Sequence, residues 1–319
     1  YDLMRKLAEG ELPTALAGAL LAGLRAKGET ADEIRGFATA MRELAVHPDI
    51  PDGAPTVDTV GTGGDGSGSL NLSTGTGLLA AACGARVVKH GNRSVSSRSG
   101  SADMLECLGM PLPLHEDAAV DCLQATNFTF LFAPAYHPAM KAVVPIRGAL
   151  AVRTVYNILG PLTNPAAPPY QLIGAYSKEA ARLMADTLAG MPLERAFVVH
   201  GEPGWDEATP AGDFVLFDVR PGSVEEQVRS PADYGIEVCR PGDLEGGDAE
   251  HNARELVRVV TGEDRGAHRD ALLMGTSLVL ECEGMASYPR DGVARAAAAI
   301  DDGDAEAFLG RLKKHFEGA

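Results

Sequence analysis

Two glycine-rich loops constrain this chain more than any other feature of its sequence. They read DTVGTGGDGSGSLNLSTG at 58–75 and KHGNRSVSSRSGSADMLE at 89–106, and each follows a short β-branched run and precedes a helix-like apolar pattern. A strand, a glycine loop and a helix N-terminus together form an anion site, because glycine lets backbone N–H groups approach a phosphate and the helix dipole favours negative charge. Two such loops predict a ligand that carries phosphate at more than one position.

The composition favours closely packed α/β layers and a local anion site. Aromatic residues make up only 5% of the 319 residues. The 28 basic and 44 acidic residues give a formal charge of −16, which argues against nucleic acid as a partner, since such binding depends on phosphate neutralisation. A polyanionic ligand therefore has to be bound locally, against repulsion by the negative net charge of the protein, and with the help of a metal ion.

Cysteine spacing and hydropathy indicate an enzyme of a reducing compartment. The five cysteines are far apart and show no CxxC spacing, which argues against a zinc site or a disulfide framework. No run has the length of a membrane span and no signal-peptide pattern opens the chain, so we expect no membrane partner and a cytoplasmic location. The chain begins at Tyr1 without a methionine, and we expect some N-terminal sequence to have been lost or trimmed.

Helix and strand patterns alternate along most of the chain. Residues 1–46 are predicted to be helical, with one helix ending at Gly28 and the next opened by Thr30 and Asp32. Strands are predicted at 56–60, 85–89, 172–176 and 196–200, and helices at 72–83, 101–108, 178–190, 252–260 and from 270 onward. Ser101 is the predicted cap of the helix at 101–108. The proline-rich residues 130–168 predict a connector, and residues 213–250 predict a peripheral region. The pattern indicates an α/β domain with a mainly helical partner.

The first loop carries candidate ligands for phosphate and for a metal. Its glycines lie in GTGGD: Gly61, Gly63 and Gly64. Asp65 can accept hydrogen bonds or bind a metal through water. The following helix N-terminus offers an amide and two hydroxyls that can bind phosphate or a metal: Asn71, Ser73 and Thr74. Position 69, between these groups, is assigned no contact. A plain strand-to-helix turn is the alternative interpretation, since one glycine-rich loop is weak evidence.

The second loop adds charge and hydroxyls. Lys89 ends a predicted strand and supplies a point charge, while Asn92 offers a donor and an acceptor. The hydroxyls are those of Ser94, Ser96, Ser97, Ser99 and Ser101. A solvent-exposed serine loop is the alternative, but such a loop would not need a lysine on the strand before it. His90 has an ordinary structural interpretation, and no catalytic base is assigned to it.

Five further residues have functional interpretations. Asp206 and Glu207 follow the predicted strand 196–200, where paired carboxylates can hold Mg²⁺ with water and phosphate oxygens. Of Arg147 and Arg153, one can pair with a substrate carboxylate while the other ties the connector to its neighbours. His137 either lines a pocket or caps a helix that Pro138 begins.

With these residues in place, the chain resembles the anthranilate phosphoribosyltransferase family over essentially its whole length. The matching segments are GTGGD (61–65), NLST (71–74), KHGNRSVSSRSGSAD (89–103), HPAMK (137–141), RTVYNILGPLTNP (153–165) and WDE (205–207). The resemblance implies a fold of the nucleoside phosphorylase and phosphoribosyltransferase type. In it, a large α/β domain with a central, mostly parallel sheet (about 51–133 plus 166–319) lies beside a small helical domain (1–50 plus about 134–165). It also implies a homodimer.

The resemblance further implies the substrates and their contacts. The donor, 5-phosphoribosyl 1-diphosphate, is expected on Gly61, Gly63, Gly64, Asp65, Asn71, Ser73, Thr74, Lys89 and Ser101. Mg²⁺ is expected on Ser73, Asp206 and Glu207. The acceptor, anthranilate, is expected on Gly61, Asn92, His137 and Arg147. Lys89, Asn92 and Arg147 are the expected catalytic residues.

The sequence departs from the family pattern at several positions. The first N-terminal helix of the family is expected to be missing. Gly148 replaces a usual basic residue, Ala151 replaces a usual glycine, and LLMGTS (272–277) replaces an asparagine-alanine pattern. Three other functions stay open: a transferase for another aromatic acceptor, a pyrimidine nucleoside phosphorylase, and a non-catalytic binding paralogue.

Overall fold

The computed structural model describes residues 1–51, 53–94 and 98–317. In these ranges one sheet is formed by β1 (Thr56–Gly61), β2 (Arg86–Gly91), β3 (Phe128–Phe132), β4 (Tyr170–Gly174), β5 (Arg195–Gly201), β6 (Phe214–Arg220) and β7 (Ser223–Arg229). The first eight helices are α1 (Asp2–Ala8), α2 (Thr14–Lys27), α3 (Ala31–Glu43), α4 (Leu72–Ala82), α5 (Ser101–Cys107), α6 (Glu116–Thr126), α7 (Ala133–Tyr136) and α8 (Val144–Leu150). The remaining helices are α9 (Tyr156–Leu159), α10 (Lys178–Leu188), α11 (Ala249–Val260), α12 (Ala267–Cys282), α13 (Pro289–Asp301) and α14 (Asp304–Phe316). Short 3₁₀ helices are Pro138–Ala142, Gly160–Leu162, Pro231–Tyr234 and Pro241–Leu244.

The strand order reverses between β1 and β4. The order is β3-β2-β1-β4-β5-β6-β7, with β1 to β5 parallel and β6 and β7 added antiparallel. The chain therefore moves away from β1 in one direction to build β2 and β3, and then returns to its other side for β4. Ligands of open α/β sheets bind where such a reversal opens a crevice at the carboxyl ends of the strands. The predicted mostly parallel sheet is confirmed, and its topology places a site beyond β1 and β4.

Each face of the sheet is covered by its own apolar cluster. One cluster packs α4, α5, α6 and α11 to α14 against the sheet, and the other packs the N-terminal helices, the connector helices and α10. Successive residues of β5 point to opposite faces of the sheet, so Phe197 belongs to the first cluster and Val198 to the second. Within the described ranges, no helix is both long enough and apolar enough to cross a membrane.

Local signals at helix N-termini predict one cap correctly and another wrongly. Thr30 opens α3 through a capping box, in which the Glu33 backbone N–H donates to the Thr30 hydroxyl at 3.3 Å. The prediction that Ser101 caps α5 is wrong, because the N-cap is Gly100 and its N–H donates to the Asp103 carboxylate at 2.9 Å. The Ser101 hydroxyl instead donates to the Asn92 carbonyl at 3.1 Å.

Five elements are missing from the sequence-based assignment, or misplaced by it: α6, β3, β4, β6 and β7. Residues 116–126 form α6, and β3 is absorbed into the predicted connector because prolines follow it closely. The expectation that 213–250 is peripheral is wrong for β6, whose residues are mostly buried between β5 and β7. β4 begins two residues earlier than the predicted 172–176. Strands this short carry too few residues for periodicity to separate them from loops.

The segment after β5 lies across the carboxyl ends of three strands, and three glycines make this possible. Strands β1, β4 and β5 end in Gly61, Gly174 and Gly201, and the first two are paired in register. A Cβ atom on Gly174 would overlap the Asp206 backbone carbonyl, and one on Gly61 would overlap the Asp206 carboxylate. A Cβ on Gly201 would overlap the Glu207 carbonyl. Because these three positions have no side chain, the backbone of Asp206 and Glu207 can pass close to the strand ends, and both carboxylates lie at the crevice.

We expect Gly174→Ala to lower the free energy of unfolding by about 1–3 kcal/mol, because the atom it meets is backbone that cannot rotate away. Urea unfolding followed by circular dichroism measures this. Gly310→Ala on α14 is the matched control, since a Cβ there meets nothing within 4 Å and alanine favours a helix interior. Equal stability of the wild type and Gly174→Ala would contradict this placement of the segment.

Candidate active site

Three carboxylates and a hydroxyl converge at the crevice. The Gly63 N–H donates to Asp206 at 2.6 Å, and the Asp206 N–H donates to Asp65 at 3.2 Å. The N–H of Ser73, at the start of α4, donates to Glu207 at 3.1 Å. The structure therefore brings the predicted metal ligands Ser73, Asp206 and Glu207 together, with Asp65 beside them. Asp65 also accepts hydrogen bonds from its own loop, as predicted from the sequence.

Two carboxylates of this corner, Asp206 and Glu207, hold their protons more tightly than usual. Burial raises the pKa of Asp206 to about 7, and the nearby Asp65 charge acts in the same direction. Burial and the Asp206 charge raise the pKa of Glu207 well above its ordinary value. Hydrogen bonds from Gly63 and Ser73 oppose these shifts without cancelling them. The corner therefore has an excess of negative charge.

Lys89 is the buried cation at the base of this corner. Its side chain on β2 is 2% exposed, and its ammonium donates to the Thr59 carbonyl and, at 3.2 Å, to the Ser73 hydroxyl. Burial lowers the pKa of Lys89, while Asp58, Glu207 and Asp206 oppose that shift. This one ammonium group lies near three carboxyl groups, so it cannot balance their negative charge when all three are ionised.

The donor set fits a divalent cation. Mg²⁺ prefers carboxylate, hydroxyl and phosphate oxygens, and the corner offers carboxylates from Asp206 and Glu207 and a hydroxyl from Ser73. The pKa values of Asp206 and Glu207 are raised first by burial and second by neighbouring carboxylate charge, and a bound cation would oppose both effects. These residues supply the donor chemistry that such an ion requires.

The second loop is held closed by its own charges. Arg93 binds Glu106 at 2.6 Å and Asp103 at 3.0 Å, and the Ser94 N–H donates to Asp103 at 3.1 Å. The Asn92 side-chain oxygen accepts from the Arg93 N–H at 2.7 Å. These bonds fold the loop onto the N-terminus of α5. Ser96 and Ser97, two of the predicted hydroxyls, lie outside the described residues.

Asn71 and Thr74 lie at the start of α4, as predicted, but Asn71 also ties two loops together. Its side chain accepts from Ser99 at 3.0 Å and from Asn252 at 2.8 Å, and donates to the Ser99 carbonyl at 3.1 Å. Thr74 is buried, and its N–H donates to the Asn71 carbonyl at 3.1 Å. Gly64 follows Gly63 in the turn, and both have the positive φ that favours glycine.

Ser69 occupies the position to which the sequence assigns no ligand contact. Its hydroxyl lies 3.2 Å from the Ser67 hydroxyl, and its backbone forms an isolated antiparallel bridge with Glu245. This bridge joins the first loop to a segment that is distant in the chain, so neighbouring residues gave no signal for it. Position 69 therefore braces the loop and is not among the proposed donor contacts.

The structure separates the roles of the two connector arginines. Arg153 donates to the Gly64 carbonyl at 3.0 Å and stacks over the Tyr176 ring, 4.3 Å from its centroid. Arg147 on α8 lies 5.4 Å from the Tyr156 ring centroid, and burial lowers its pKa. Among the described residues, no carboxylate forms an ion pair with Arg147. Arg153 therefore ties the connector to the first loop, which leaves Arg147 as the candidate for pairing with a substrate carboxylate.

His137 and His90 form a buried pair beside this arginine-bearing connector. Their ring centroids are 5.1 Å apart at 65°. Burial lowers the pKa of His137 to about 4, although the Thr163 backbone favours the charged ring, and burial together with His137 lowers the pKa of His90 to about 3. His137 precedes the 3₁₀ helix that Pro138 begins, as the sequence predicted. Both rings are neutral near pH 7.

Comparison with known proteins decides between the open interpretations. Residues 53–306 match the family model "Glycosyl transferase family, a/b domain", and residues 1–45 match "Glycosyl transferase family, helical bundle domain". An anthranilate phosphoribosyltransferase of Solibacter usitatus is 46% identical over 306 residues, which cover 95% of this chain and 89% of the relative. The chain belongs to the anthranilate phosphoribosyltransferase family.

Solved structures of anthranilate phosphoribosyltransferases share the fold of this chain. The crystal structure of the Thermus thermophilus enzyme has a TM-score of 0.93 and 39% identity, and the match covers 100% of this chain and 94% of that one. The Saccharomyces cerevisiae enzyme in complex with 5-phosphoribosyl 1-diphosphate and Mg has a TM-score of 0.88 and 27% identity, with coverage of 96% and 86%. The yeast enzyme has also been solved with 4-fluoroanthranilate.

Two departures from the anthranilate phosphoribosyltransferase pattern have visible structural effects. Ala151 ends α8 with a φ of 50°, a left-handed conformation in which the family's glycine carries less strain. In LLMGTS, Gly275 lies where a Cβ would overlap the Thr76 hydroxyl. The glycine therefore lets α12 approach α4, the helix that carries Ser73 and Thr74.

Sequence reasoning missed three residues that brace the site of this family member. Asp58 on β1 is fully buried and accepts from Asn164 at 2.8 Å and from the His90 N–H at 3.2 Å. Asn164 also donates to the Val88 carbonyl at 2.8 Å, so it fastens the connector to the sheet. A charged residue inside the β-branched run TVDTV was the available signal for Asp58. Asn252 gave no comparable signal.

We expect the metal-free wild type to lose stability relative to Asp206→Asn as pH rises from 5 to 8. Because the folded-state pKa of Asp206 is raised to about 7, its stabilising contribution is complete below the ordinary pKa and is lost as pH rises through about 7. Melting temperatures in EDTA measure this. Mg²⁺ at pH 8 should raise the melting temperature of the wild type more than that of the variant.

Asp121→Asn, at an exposed carboxylate on α6, is the control and should leave the pH profile unchanged. A melting-temperature difference between wild type and Asp206→Asn that stays constant from pH 5 to 8 would refute the raised pKa.

Proposed function

We propose that the crevice beyond β1 and β4 transfers the phosphoribosyl group of 5-phosphoribosyl 1-diphosphate to the amine of anthranilate, giving N-(5-phosphoribosyl)anthranilate and diphosphate. The observation that carries the proposal is the meeting of Ser73, Asp206 and Glu207 with Lys89 beneath a glycine-rich phosphate loop. Membership in the anthranilate phosphoribosyltransferase family and the complexes of the yeast enzyme support the same reaction, a step of tryptophan biosynthesis.

The donor half of the site stabilises the leaving group. The C1–O bond breaks with its electron pair passing to diphosphate, so positive charge develops on the ribose and negative charge on the diphosphate. Ser73, Asp206 and Glu207 would hold Mg²⁺, which would supply positive charge to the diphosphate. Lys89 and the N–H groups of the GTGGD loop add preorganised stabilisation. The remaining donor contacts are assigned to Gly61, Gly63, Gly64, Asp65, Asn71, Thr74 and Ser101.

The acceptor half orients a nucleophile that needs little activation. The lone pair of an aromatic amine can attack C1 directly, forming the C1–N bond and then losing a proton to solvent. Attack from the face opposite the diphosphate inverts the anomeric centre. Arg147 holds the anthranilate carboxylate, while Asn92, Gly61 and His137 complete the pocket. The lowered pKa of His137, about 4, fits a pocket wall and not a general base that is poised near neutral pH. Orientation supplies the rest of the rate.

We expect Arg147→Ala and Lys89→Ala to separate the two halves of the site. Loss of anthranilate fluorescence, in the presence of the donor and Mg²⁺ and with an EDTA control, measures the reaction. Arg147→Ala should raise the KM for anthranilate by roughly 10–100-fold, because one charge-assisted pair is lost. Lys89→Ala should mainly raise the KM for the donor.

Arg153→Ala is the control, because Arg153 lies in the same connector but contacts the Gly64 carbonyl. It should leave the KM for anthranilate nearly unchanged. Equal losses for both substrates in Arg147→Ala and Lys89→Ala would refute the division. Donor binding by calorimetry without any loss of fluorescence would instead indicate another aromatic acceptor, which Gly148 and Ala151 beside Arg147 make the second candidate.

We further propose that the chain is a homodimer that associates through a small helical domain, residues 1–50 plus about 134–165. Helix α2 has only apolar residues and glycine from Ala15 to Leu24, and several of its alanines and Leu16, which is 48% exposed, face outward. Val144 and Val152 of the connector are 60% and 48% exposed. An apolar surface of this kind is typical of a protein interface.

We expect Leu16→Glu to convert the dimer to a monomer, because burying a carboxylate in an apolar interface is unfavourable. Sedimentation equilibrium measures the mass. Val228→Glu is the control, since Val228 is 68% exposed on β7, far along the chain from α2. An unchanged dimer in Leu16→Glu would exclude α2 as the interface.

We also propose a cytoplasmic location. All five cysteines are free: Cys83, Cys107, Cys122, Cys239 and Cys282. Unpaired thiols are typical of reducing compartments, and amino-acid biosynthesis requires no export. Neither nucleic acid nor a membrane is proposed as a partner.

A further inference from the structure

The side-chain amide of Asn71 is oriented by a chain of hydrogen bonds that starts in the backbone. Its oxygen accepts from Asn252 Nδ2 at 2.8 Å and from Ser99 Oγ at 3.0 Å. Its nitrogen donates to the Ser99 carbonyl at 3.1 Å. An amide oxygen has two acceptor positions and an amide nitrogen two donors. Within the described residues, one N–H of Asn71 is left for a ligand.

The opposite orientation of this amide is excluded by its neighbours. Rotation by 180° would set the Asn71 nitrogen against the Asn252 nitrogen, and the Asn71 oxygen against the Ser99 carbonyl. Both contacts would place like groups together and break two of the three hydrogen bonds, and only the bond to the Ser99 hydroxyl, which can also accept, could be kept. Asn252 cannot rotate to compensate, because its own oxygen accepts from the Gly247 N–H at 2.7 Å. Asn252 is also 2% exposed, so water cannot replace its partner.

The segment that fixes Asn252 is itself joined to the first loop. The Gly246 N–H donates to the Gly68 carbonyl at 2.8 Å, and the Leu70 N–H donates to the Leu244 carbonyl at 3.1 Å. The backbone bonds therefore hold the segment that contains Gly247. The Gly247 N–H fixes the orientation of the Asn252 amide, and Asn252 in turn fixes the orientation of the Asn71 amide. A donor facing the ligand attracts phosphate oxygens, whereas an acceptor would repel them.

We propose that Asn252 is a positioning residue for the phosphoribosyl donor: it fixes the Asn71 amide so that an N–H, and not the oxygen, is presented to the donor, and through Asn71 it holds the second loop at Ser99. The proposal rests on the proposed function insofar as Asn71 contacts the donor. Asn252 itself touches no substrate.

The test compares Asn252→Ala, Asn71→Ala and the double variant by steady-state kinetics and by calorimetry of donor binding with Mg²⁺. Asn252→Ala should raise the donor KM and Kd about tenfold, the effect of one lost oriented hydrogen bond, with the KM for anthranilate within about twofold. Because Asn252 acts through Asn71, the double variant should bind the donor no more weakly than Asn71→Ala alone. Additive losses would overturn the proposal.

Two further variants separate positioning from general stability. Asn252→Asp keeps the size of the side chain and the acceptor for Gly247 but removes the donor to Asn71, so it should weaken donor binding at least as much as Asn252→Ala. Val260→Ala, which removes a buried side chain at the far end of α11, should lower the melting temperature but leave the donor Kd unchanged.

The remaining outcomes distinguish the role of Asn252 from that of Asn71. Wild-type donor binding in Asn252→Asp, or a donor Kd raised equally in Val260→Ala, would overturn the positioning role. If Asn71→Ala alone binds the donor normally, the donor role proposed for Asn71 is wrong and this inference falls with it. If Asn71→Ala binds weakly while Asn252→Ala binds normally, only the role of Asn252 is refuted.

Discussion

The functional site depends on one steric constraint, which is that the chain after β5 must lie against the bare ends of three strands. Gly61, Gly174 and Gly201 leave no side chain where the Asp206 and Glu207 backbone passes. Without this close approach, the carboxylates would stand at least a side chain's width further from the GTGGD loop and from Ser73. The phosphate loop and the carboxylate pair would then be two separate features. Their contact makes them one site.

The same close approach creates the electrostatic character of the site. Asp206 and Glu207 lie near one buried cation, Lys89, and Asp65 adds its charge beside them, in a protein whose formal charge is already −16. Burial strengthens the repulsion between these carboxylates, because water is not present to screen it. A polyanionic donor alone would increase that repulsion, whereas a donor that arrives with a divalent cation would relieve it. The proposed metal requirement is therefore a property of the folded chain as well as of the chemistry.

The sequence predicted the features that have local signals. The two loops, the Thr30 capping box and the paired carboxylates were all recognisable from neighbouring residues, and the mostly parallel sheet followed from their alternation. The choice between Arg147 and Arg153 was left open because the contact that separates them, to the Gly64 carbonyl, is made across the fold. Asn252 was missed for the same reason, since its partner lies 181 residues away in the chain. Strands β3 and β6 were missed because short buried runs have no distinctive period.

The late return of the chain to β1 has a consequence for how the protein matures. Residues of the site come from β1 and its loop, the second loop, the connector, the segment after β5 and α11, so no short contiguous fragment contains it. Contacts between such distant segments form slowly, because the loop-closure entropy must be overcome first. A nascent chain therefore lacks a complete donor site until α11 has docked. A substrate that binds only the complete site stabilises only the fully folded molecules. A supply of substrate therefore protects these molecules and not the incompletely folded ones.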